Sequence, residues 1–546
     1  MNKETRDEKE VKITEHKYFQ TLSKEQLWQR YCGFFDLSLK EFMEIQGCLL
    51  LEQIDLVVDS TLGKKIMQGA RPKTVEEFRR LVPLTTYEDY RPYFRAQQED
   101  VLAEKPRFWC HTSGQRGDFK WLPYTEGHYR RVVDTAVSGF ILACAKSKGE
   151  INIKRGEKLV YTVPPRPYAS WFLSYGICQQ LGLRPLPPMD FAEKVDFQKR
   201  IEESFRLALR YGVNVVGSIS SVLVKIGERF AEKSAGMKLS ASMLHPAVFF
   251  RVSKALLRSK LKRRAMLPRD LWPIKGAICA GTDTTIYKEQ VAHYWGVTPW
   301  ELYAPTESGI LAMQNWNKKW MTFVPYSSFL EFIPEVEWFK NREDKEYHPS
   351  TVLLDEVKEG ECYEVVTTNF YGMPFLRYRP GDIIKIVSLS DQEAGVNLPQ
   401  MVFKSRADDF IDLAGLARLD EKTVWQAIQN MGVKYEDWSA RKEYEKNQPY
   451  LRIYVELKER WDPQEIEQMI DDQLQIIDVD YRDIDSWLQI HPIRVTLLSP
   501  GTFQRFYQEK QKEGADLAHL KPRHMNALEV EIQRLLELSQ LGYKKP

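Results

Sequence analysis

A chain of 546 residues exceeds what one ordinary hydrophobic core organises, so two or more domains are expected. Its 43% hydrophobic and 28% charged residues match a soluble globular protein, and 78 Lys and Arg against 76 Asp and Glu leave a formal charge of +2. That near-neutrality gives no global electrostatic pull toward a polyanion, so nucleic acid is not expected as a partner.

In chain order, Met1 to Lys17 alternates acids and bases without an apolar centre, which rules out a secretory signal there and predicts a frayed tail. The longest apolar stretch, Val132 to Ala145, is interrupted by Asp134, Thr135 and Ser138. It falls short of the roughly 20 residues a membrane-crossing helix needs, so no membrane span is expected. Seven cysteines (Cys32, Cys48, Cys110, Cys144, Cys178, Cys279 and Cys362) are scattered and never spaced as a metal or redox pair. They predict reduced thiols in a cytoplasmic protein, most of them filling the core.

Lys158 to Val163 reads as a strand, Pro164-Pro165-Arg166-Pro167 as a rigid break and Trp171 to Leu181 as an apolar helix. Gly276 to Ala280 is a second apolar strand, closed by Gly281-Thr282-Asp283 and followed by a helix from Tyr287 to Trp295. Strand, polar turn, helix is the pattern of a large α/β unit, here extending to about Phe403, with ligands expected at the strands' carboxyl ends. Between Arg251 and Arg269 a basic run interleaves with Leu256, Leu257 and Leu261. Such a run can lie on an anionic surface, but the expectation is a solvated helix face with the leucine stripe packed inward.

The chain turns polar from Ser388 to Pro399, and beyond Lys404 its composition describes a smaller α+β unit of about 140 residues, domain-sized in its own right. Leu451 to Leu457 alternates as a half-buried strand, and Asp462-Pro463-Gln464-Glu465 opens a helix with Asp as N-cap and Pro at the first position. A strand from Ile493 to Leu498 and a terminal helix from Asn526 to Leu538 complete it.

Four motifs carry chemistry. Thr112-Ser113-Gly114-Gln115-Arg116-Gly117 with Lys120 offers hydroxyls, approachable backbone amides and charge for phosphates, without the Gly-Lys-Ser/Thr ending of a Walker loop. Tyr303-Ala304-Pro305-Thr306-Glu307 pairs an aromatic ring, able to stack on a purine, with a carboxylate able to hold magnesium. In Arg377-Tyr378-Arg379-Pro380-Gly381-Asp382, a carboxylate at a glycine turn enters an apolar strand, where it can accept both hydroxyls of a ribose; a buried Arg–Asp pair is the plain alternative. Arg406-Ala407-Asp408-Asp409-Phe410-Ile411 puts charge at the junction of the two units, as any linker also does. His111 and His128 have no Ser or Asp at a spacing that would make either a catalytic base, and Tyr168, Trp171, Phe172 and Ser220, candidates for an acyl pocket, are more simply core.

In this order the motifs resemble the acyl-adenylating superfamily, and the later ones resemble most its Gretchen Hagen acyl-acid amido synthetases. The resemblance implies an ATP- and acyl-acid-binding domain over 1–403 and a mobile cap over 404–546, turning on a hinge near 406–409. It implies ATP and Mg2+, a small carboxylic acid as substrate, and an amine or thiol as acceptor. Residue by residue, Thr112, Ser113, Gly114, Arg116, Gly117 and Lys120 meet the phosphates, although Gln115 and Arg116 stand where two threonines are usual and Ala304 where a glycine is. Tyr303 stacks on adenine, Thr306 contacts the α-phosphate, Glu307 takes the metal and Asp382 anchors the ribose. Arg379 is a structural or phosphate partner, Arg406 lies near ribose or phosphate, and Asp408 is the pivot. Pro500-Gly501-Thr502-Phe503 and Lys521-Pro522-Arg523 resemble the closing stretch of the same synthetases and make Lys521 the lysine brought over the α-phosphate. Tyr371-Gly372-Met373-Pro374 is similar to phenylacetate–CoA ligases, so coenzyme A stays open as acceptor. A nucleotide-binding scaffold without turnover stays open too.

Overall fold

The computed structural model describes residues 18–111, 120–163, 165–195, 197–235, 245–280, 284–344, 346–406, 411–413, 417–445, 448–478, 481–482, 491–512, 524–527 and 529–542. The chain forms two compact units, Met1–Pro380 with Ile384–Phe403 and Gly381–Ile383 with Lys404–Pro546.

In the first unit a hairpin of β1 (Phe108–His111) and β2 (Trp121–Tyr124) precedes an eleven-stranded sheet. The sheet's strands are β3 (Lys158–Tyr161), β4 (Arg184–Leu186), β5 (Val215–Ile219), β6 (Gly276–Ala280), β7 (Pro299–Tyr303), β8 (Ala312–Gln314), β9 (Met321–Phe323), β10 (Ser328–Pro334), β11 (Cys362–Asn369), β12 (Asp382–Ser388) and β13 (Gln400–Arg406). Their spatial order is β10-β11-β12-β13-β9-β8-β7-β6-β5-β3-β4. From β4 to β7 the pairs are parallel, and β7–β8, β8–β9, β9–β13 and β10–β11 are antiparallel. The two halves follow from their connections. Parallel neighbours require helical crossovers, supplied here by helices such as Ala169–Leu181 and Ser220–Ala235, while the antiparallel neighbours β7, β8 and β9 are joined by short loops.

The apolar stretch from Val132 lies in the helix Glu126–Cys144, whose last nine residues are all buried because it runs against the sheet. Gly139 permits that approach, since a Cβ there would stand 2.6 Å from the Trp300 ring. No helix among the described residues is long and apolar enough to cross a membrane. Six cysteines are buried, Cys48 is exposed, and all seven are free thiols. Trp171 and Phe172 are largely core, Trp171 stacked on Tyr175 and Phe172 on Phe108 with ring centroids 3.8 Å apart.

The basic run corrects its expectation. Helix Pro246–Leu261 does form, but it packs inward through Val248, Val252, Ala255 and Ser259, while Leu256, Leu257 and Leu261 are exposed. The residues facing the core are the smaller ones, which let the helix lie close to its neighbours.

The second unit holds a small hairpin, β14 (Ile411–Leu413) with β15 (Ala417–Leu419), and a three-stranded sheet of β16 (Tyr435–Glu445), β17 (Gln448–Leu457) and β18 (Ile493–Leu498). β16–β17 is antiparallel, and β17–β18 is parallel across the helix Pro463–Ile477. Asp462 caps that helix by accepting from the Gln464 amide at 2.8 Å, with Pro463 at the first position. The terminal helix is Glu529–Gly542, starting three residues later than the apolar pattern suggested and running four residues further. Ile453, Val455, Ile466, Ile470 and Trp438 form this unit's own core.

Candidate active site

The loop from Ala304 to Leu311 joins β7 to β8, so the Tyr303–Glu307 motif sits where the parallel half of the sheet becomes antiparallel. The motif thus follows the carboxyl end of a parallel strand, the end at which α/β sheets place ligands. The loop is pinned from several sides. The Tyr124 hydroxyl donates to the Thr306 carbonyl at 2.6 Å, the Asn369 side-chain amide donates to the Glu307 carbonyl at 2.5 Å, and Ser308 and Thr367 share a hydroxyl–hydroxyl bond at 2.8 Å. Tyr303 is buried, its ring 5.9 Å from that of Phe403, while Thr306 is half-exposed.

Glu307 is the point where three motifs meet. Its Oε1 accepts from the Tyr378 hydroxyl at 3.2 Å and lies 3.7 Å from the Lys120 ammonium, which also stands 5.3 Å from the Tyr87 ring centroid. Burial first, then neighbouring negative charge that includes Glu307, pushes the Cys110 thiol and Tyr124 hydroxyl well above their usual range, so both stay protonated. His128, packed edge-on to Tyr124, is pushed down to about 3 by burial and stays neutral. Neither of its ring nitrogens has a hydrogen-bond partner among the described residues.

The segment Arg377–Pro380 is built as a lock. Tyr378 bridges Thr367 on one side and Thr85 on the other, with Tyr378 N to Thr367 O at 2.7 Å, Thr85 N to Arg377 O at 2.9 Å and Arg379 N to Thr85 O at 2.9 Å. Arg377, in the left-handed region at φ 43, spends its guanidinium on Glu331 at 2.8 and 3.0 Å and on the carbonyls of Arg79 and Val82 at 2.6 and 2.7 Å. Arg379 donates to Glu364 at 2.7 and 2.9 Å and to Asn341 at 2.9 Å, so its contacts are those of a structural ion pair. The chain then turns at Gly381, whose φ of +80 would strain any side chain, and Asp382 opens β12 with its side chain buried.

The structure therefore brings Lys120, Thr306, Glu307 and Tyr378 into one cluster. Thr112, Ser113, Gly114, Arg116, Gly117, Asp408 and Lys521 lie outside the described residues; β1 and β2, which flank the phosphate-loop motif, pair from His111 to Trp121. Arg406 ends β13, its side chain outside those described. Sequence reasoning missed Tyr378, Tyr124, Asn369, Glu331 and Glu364. Tyr378 had a signal, since it sits inside the sharpest motif. The other four are single polar residues in or beside strands, marked by nothing local.

Among the described residues no three His, Cys, Asp or Glu side chains gather as a metal site. A lone carboxylate such as Glu307 fits magnesium, which keeps its waters and takes one or two carboxylates plus substrate phosphates.

Solved structures of low sequence identity share this fold. The acyl acid amido synthetase AtGH3.15 in complex with 2,4-DB superposes with a TM-score of 0.68 at 18% identity, covering 94% of this chain and 96% of that one. A 2-hydroxyisobutyryl-CoA ligase in the postadenylation state with 2-HIB-AMP gives 0.63 at 13% identity over 95% and 96%. The architecture is thus that of adenylate-forming enzymes. Models of the GH3 family N-terminal, central and C-terminal domains match residues 32–161, 321–406 and 421–528, and the chain belongs to the GH3 family. The jasmonoyl–L-amino acid synthetase JAR4 of Nicotiana attenuata is 46% identical over 63 residues, 12% of this chain and 10% of that protein. The chain thus matches about a tenth of that curated relative's length.

Proposed function

We propose that this protein is an ATP-dependent, AMP-forming ligase that activates an organic carboxylic acid and passes the acyl group to an amine. A carboxylate oxygen of the acid attacks the α-phosphorus of ATP. The bond from that phosphorus to the bridging oxygen breaks, pyrophosphate leaves, and acyl-AMP remains. The amine nitrogen then attacks the acyl carbon, the acyl–oxygen bond to AMP breaks, and the amine proton is lost to solvent.

Glu307 would hold the magnesium of the incoming nucleotide, an ion whose charge would offset that developing on the phosphates. Lys120 neutralises Glu307 before the nucleotide arrives and is released to the phosphates afterwards. Tyr378 fixes the carboxylate's orientation, so no reorganisation is needed as charge moves. Asp382 accepts the ribose hydroxyls, Tyr303 borders the adenine, and Thr306 donates to the α-phosphate. The loop of Thr112, Ser113, Gly114, Arg116 and Gly117 cradles the phosphates, and Lys521 is carried in by the 404–546 cap, with Asp408 as pivot and Arg406 near the ribose. The single observation that carries this reading is the meeting of Lys120 and Tyr378 on one carboxylate oxygen of Glu307, from motifs more than 250 residues apart in sequence.

The test is acid-dependent exchange of labelled pyrophosphate into ATP over a panel of carboxylic acids. Product analysis follows with either amino acids or coenzyme A as acceptor. Exchange with amide product supports the proposal, and exchange with thioester only moves it to a CoA ligase. No exchange with any acid leaves a nucleotide-binding scaffold.

A further inference from the structure

Helix Pro246–Leu261 carries five of the sixteen large apolar side chains exposed among the described residues: Phe249, Phe250, Leu256, Leu257 and Leu261. At a period of 3.6 residues, Phe250, Leu257 and Leu261 fall on one stripe, opposite the buried Val248, Val252, Ala255 and Ser259. They are 73%, 61% and 76% exposed, so the most outward-facing line of the helix is its most apolar. An ordinary surface helix is arranged the other way round.

The charges complete the pattern. Between Glu232 and Asp270 the sequence has ten Lys and Arg and no Asp or Glu. Arg251 is turned inward to the Leu209 carbonyl, and Arg264 grips Asp270 at 2.7 and 2.9 Å, which also takes the flanking acid out of play. Lys254 lies on the apolar stripe, Lys260 lies to one side of it, and Lys262 and Arg263 follow at the helix end; all four are exposed. Glu203, on the neighbouring helix Phe197–Tyr211, is paired with Arg206.

We infer that this face docks on an anionic lipid bilayer, the helix lying in the interfacial plane. A polyanion such as nucleic acid would satisfy the lysines and leave three large apolar side chains in water. A neutral bilayer would take the apolar stripe and waste the charge. An anionic membrane takes both: the stripe enters the headgroup–acyl boundary by about 5–10 Å, and the lysines, long enough to snorkel, stay at the phosphates. None of these residues belongs to the proposed adenylation site, so the inference stands or falls independently of that reading.

The test is flotation of the purified full-length chain with vesicles of phosphatidylcholine, with and without phosphatidylserine, at low and physiological salt. The chain is expected to float with the phosphatidylserine vesicles and to stay behind with phosphatidylcholine alone. Lys254→Ser with Lys260→Ser should weaken partitioning about 25-fold, at about fivefold for each basic residue near an anionic surface. Phe250→Ser with Leu257→Ser and Leu261→Ser should abolish it, with the far-UV spectrum and melting temperature unchanged because these side chains contribute little to the core. Phe250→Trp should shift its emission to the blue on the anionic vesicles. Absence of flotation at low salt would overturn the inference. So would flotation that survives loss of the apolar stripe, or a reversible dimer that the same three substitutions dissolve.

Discussion

Each unit buries a base against carboxylates, but the bases differ. In the first, Arg377 and Arg379 are held by Glu331 and Glu364, and a guanidinium keeps its charge at any pH a protein survives. In the second, His524 lies between Glu421 at 2.7 Å and Asp437 at 2.8 Å and stacks on Trp438. Burial alone would lower its pKa, yet Asp437 and Glu421 outweigh that and hold it up to about 10 from an ordinary 6.5. The guanidiniums beneath the candidate site thus keep their charge as pH changes, whereas the buried base of the other unit is one that titrates.

Four measurements would break or sharpen that contrast. The largest effect is expected from Arg377→Met, which strips the buried Glu331 carboxylate of its hydrogen-bonded counter-charge and leaves only the Arg79 guanidinium, 3.5 Å away. Breaking such a pair costs about 3–5 kcal/mol, readable by urea unfolding, and a loss below about 1 kcal/mol would show that Arg377 is no keystone. Next, Glu307→Gln should lower pyrophosphate exchange about 100- to 1,000-fold while the melting temperature holds, the scale seen when one preorganised electrostatic group is removed. Exchange at the parent rate would remove Glu307 from the chemistry. Third is the pH profile of stability. Because the folded-state pKa of His524 is raised, its contribution is fully present below pH 6.5 and is lost as pH rises through about 10. Thermal melts across this window should show an alkaline decline that His524→Gln flattens; an equal decline in both proteins would place the titration elsewhere. The smallest effect belongs to Tyr378→Phe, which removes one hydrogen bond to Glu307, worth about 1 kcal/mol, and should slow exchange about fivefold without altering the pH profile.

What the sequence revealed follows from how local each signal is. β6 and β18 form over the residues read as strands, Gly276–Ala280 and Ile493–Leu498, because short apolar runs closed by turn residues are self-announcing. Helix Pro246–Leu261 was legible as a helix but not in its facing. Apolar residues line two opposite sides of it, and periodicity alone does not say which one meets the core. At the site, Glu307 and Lys120 were legible because their motifs are short. Glu331 and Glu364 were not, since each looks like any acid in a strand until Arg377 and Arg379, 46 and 15 residues away, arrive beside them.

The first and middle matched family segments are separate in the sequence but not in the three-dimensional structure. Arg377 reaches back to the carbonyls of Arg79 and Val82, and Thr85 forms a bridge with Tyr378, so the first and middle segments share a single seam. Chimeras between relatives that exchange one side of that seam will inherit mismatched halves of a lock, whereas exchanging residues around 79–90 together with those from 331 to 379 carries the fitting whole. The unit of recombination in this fold is a contact, not a stretch of sequence.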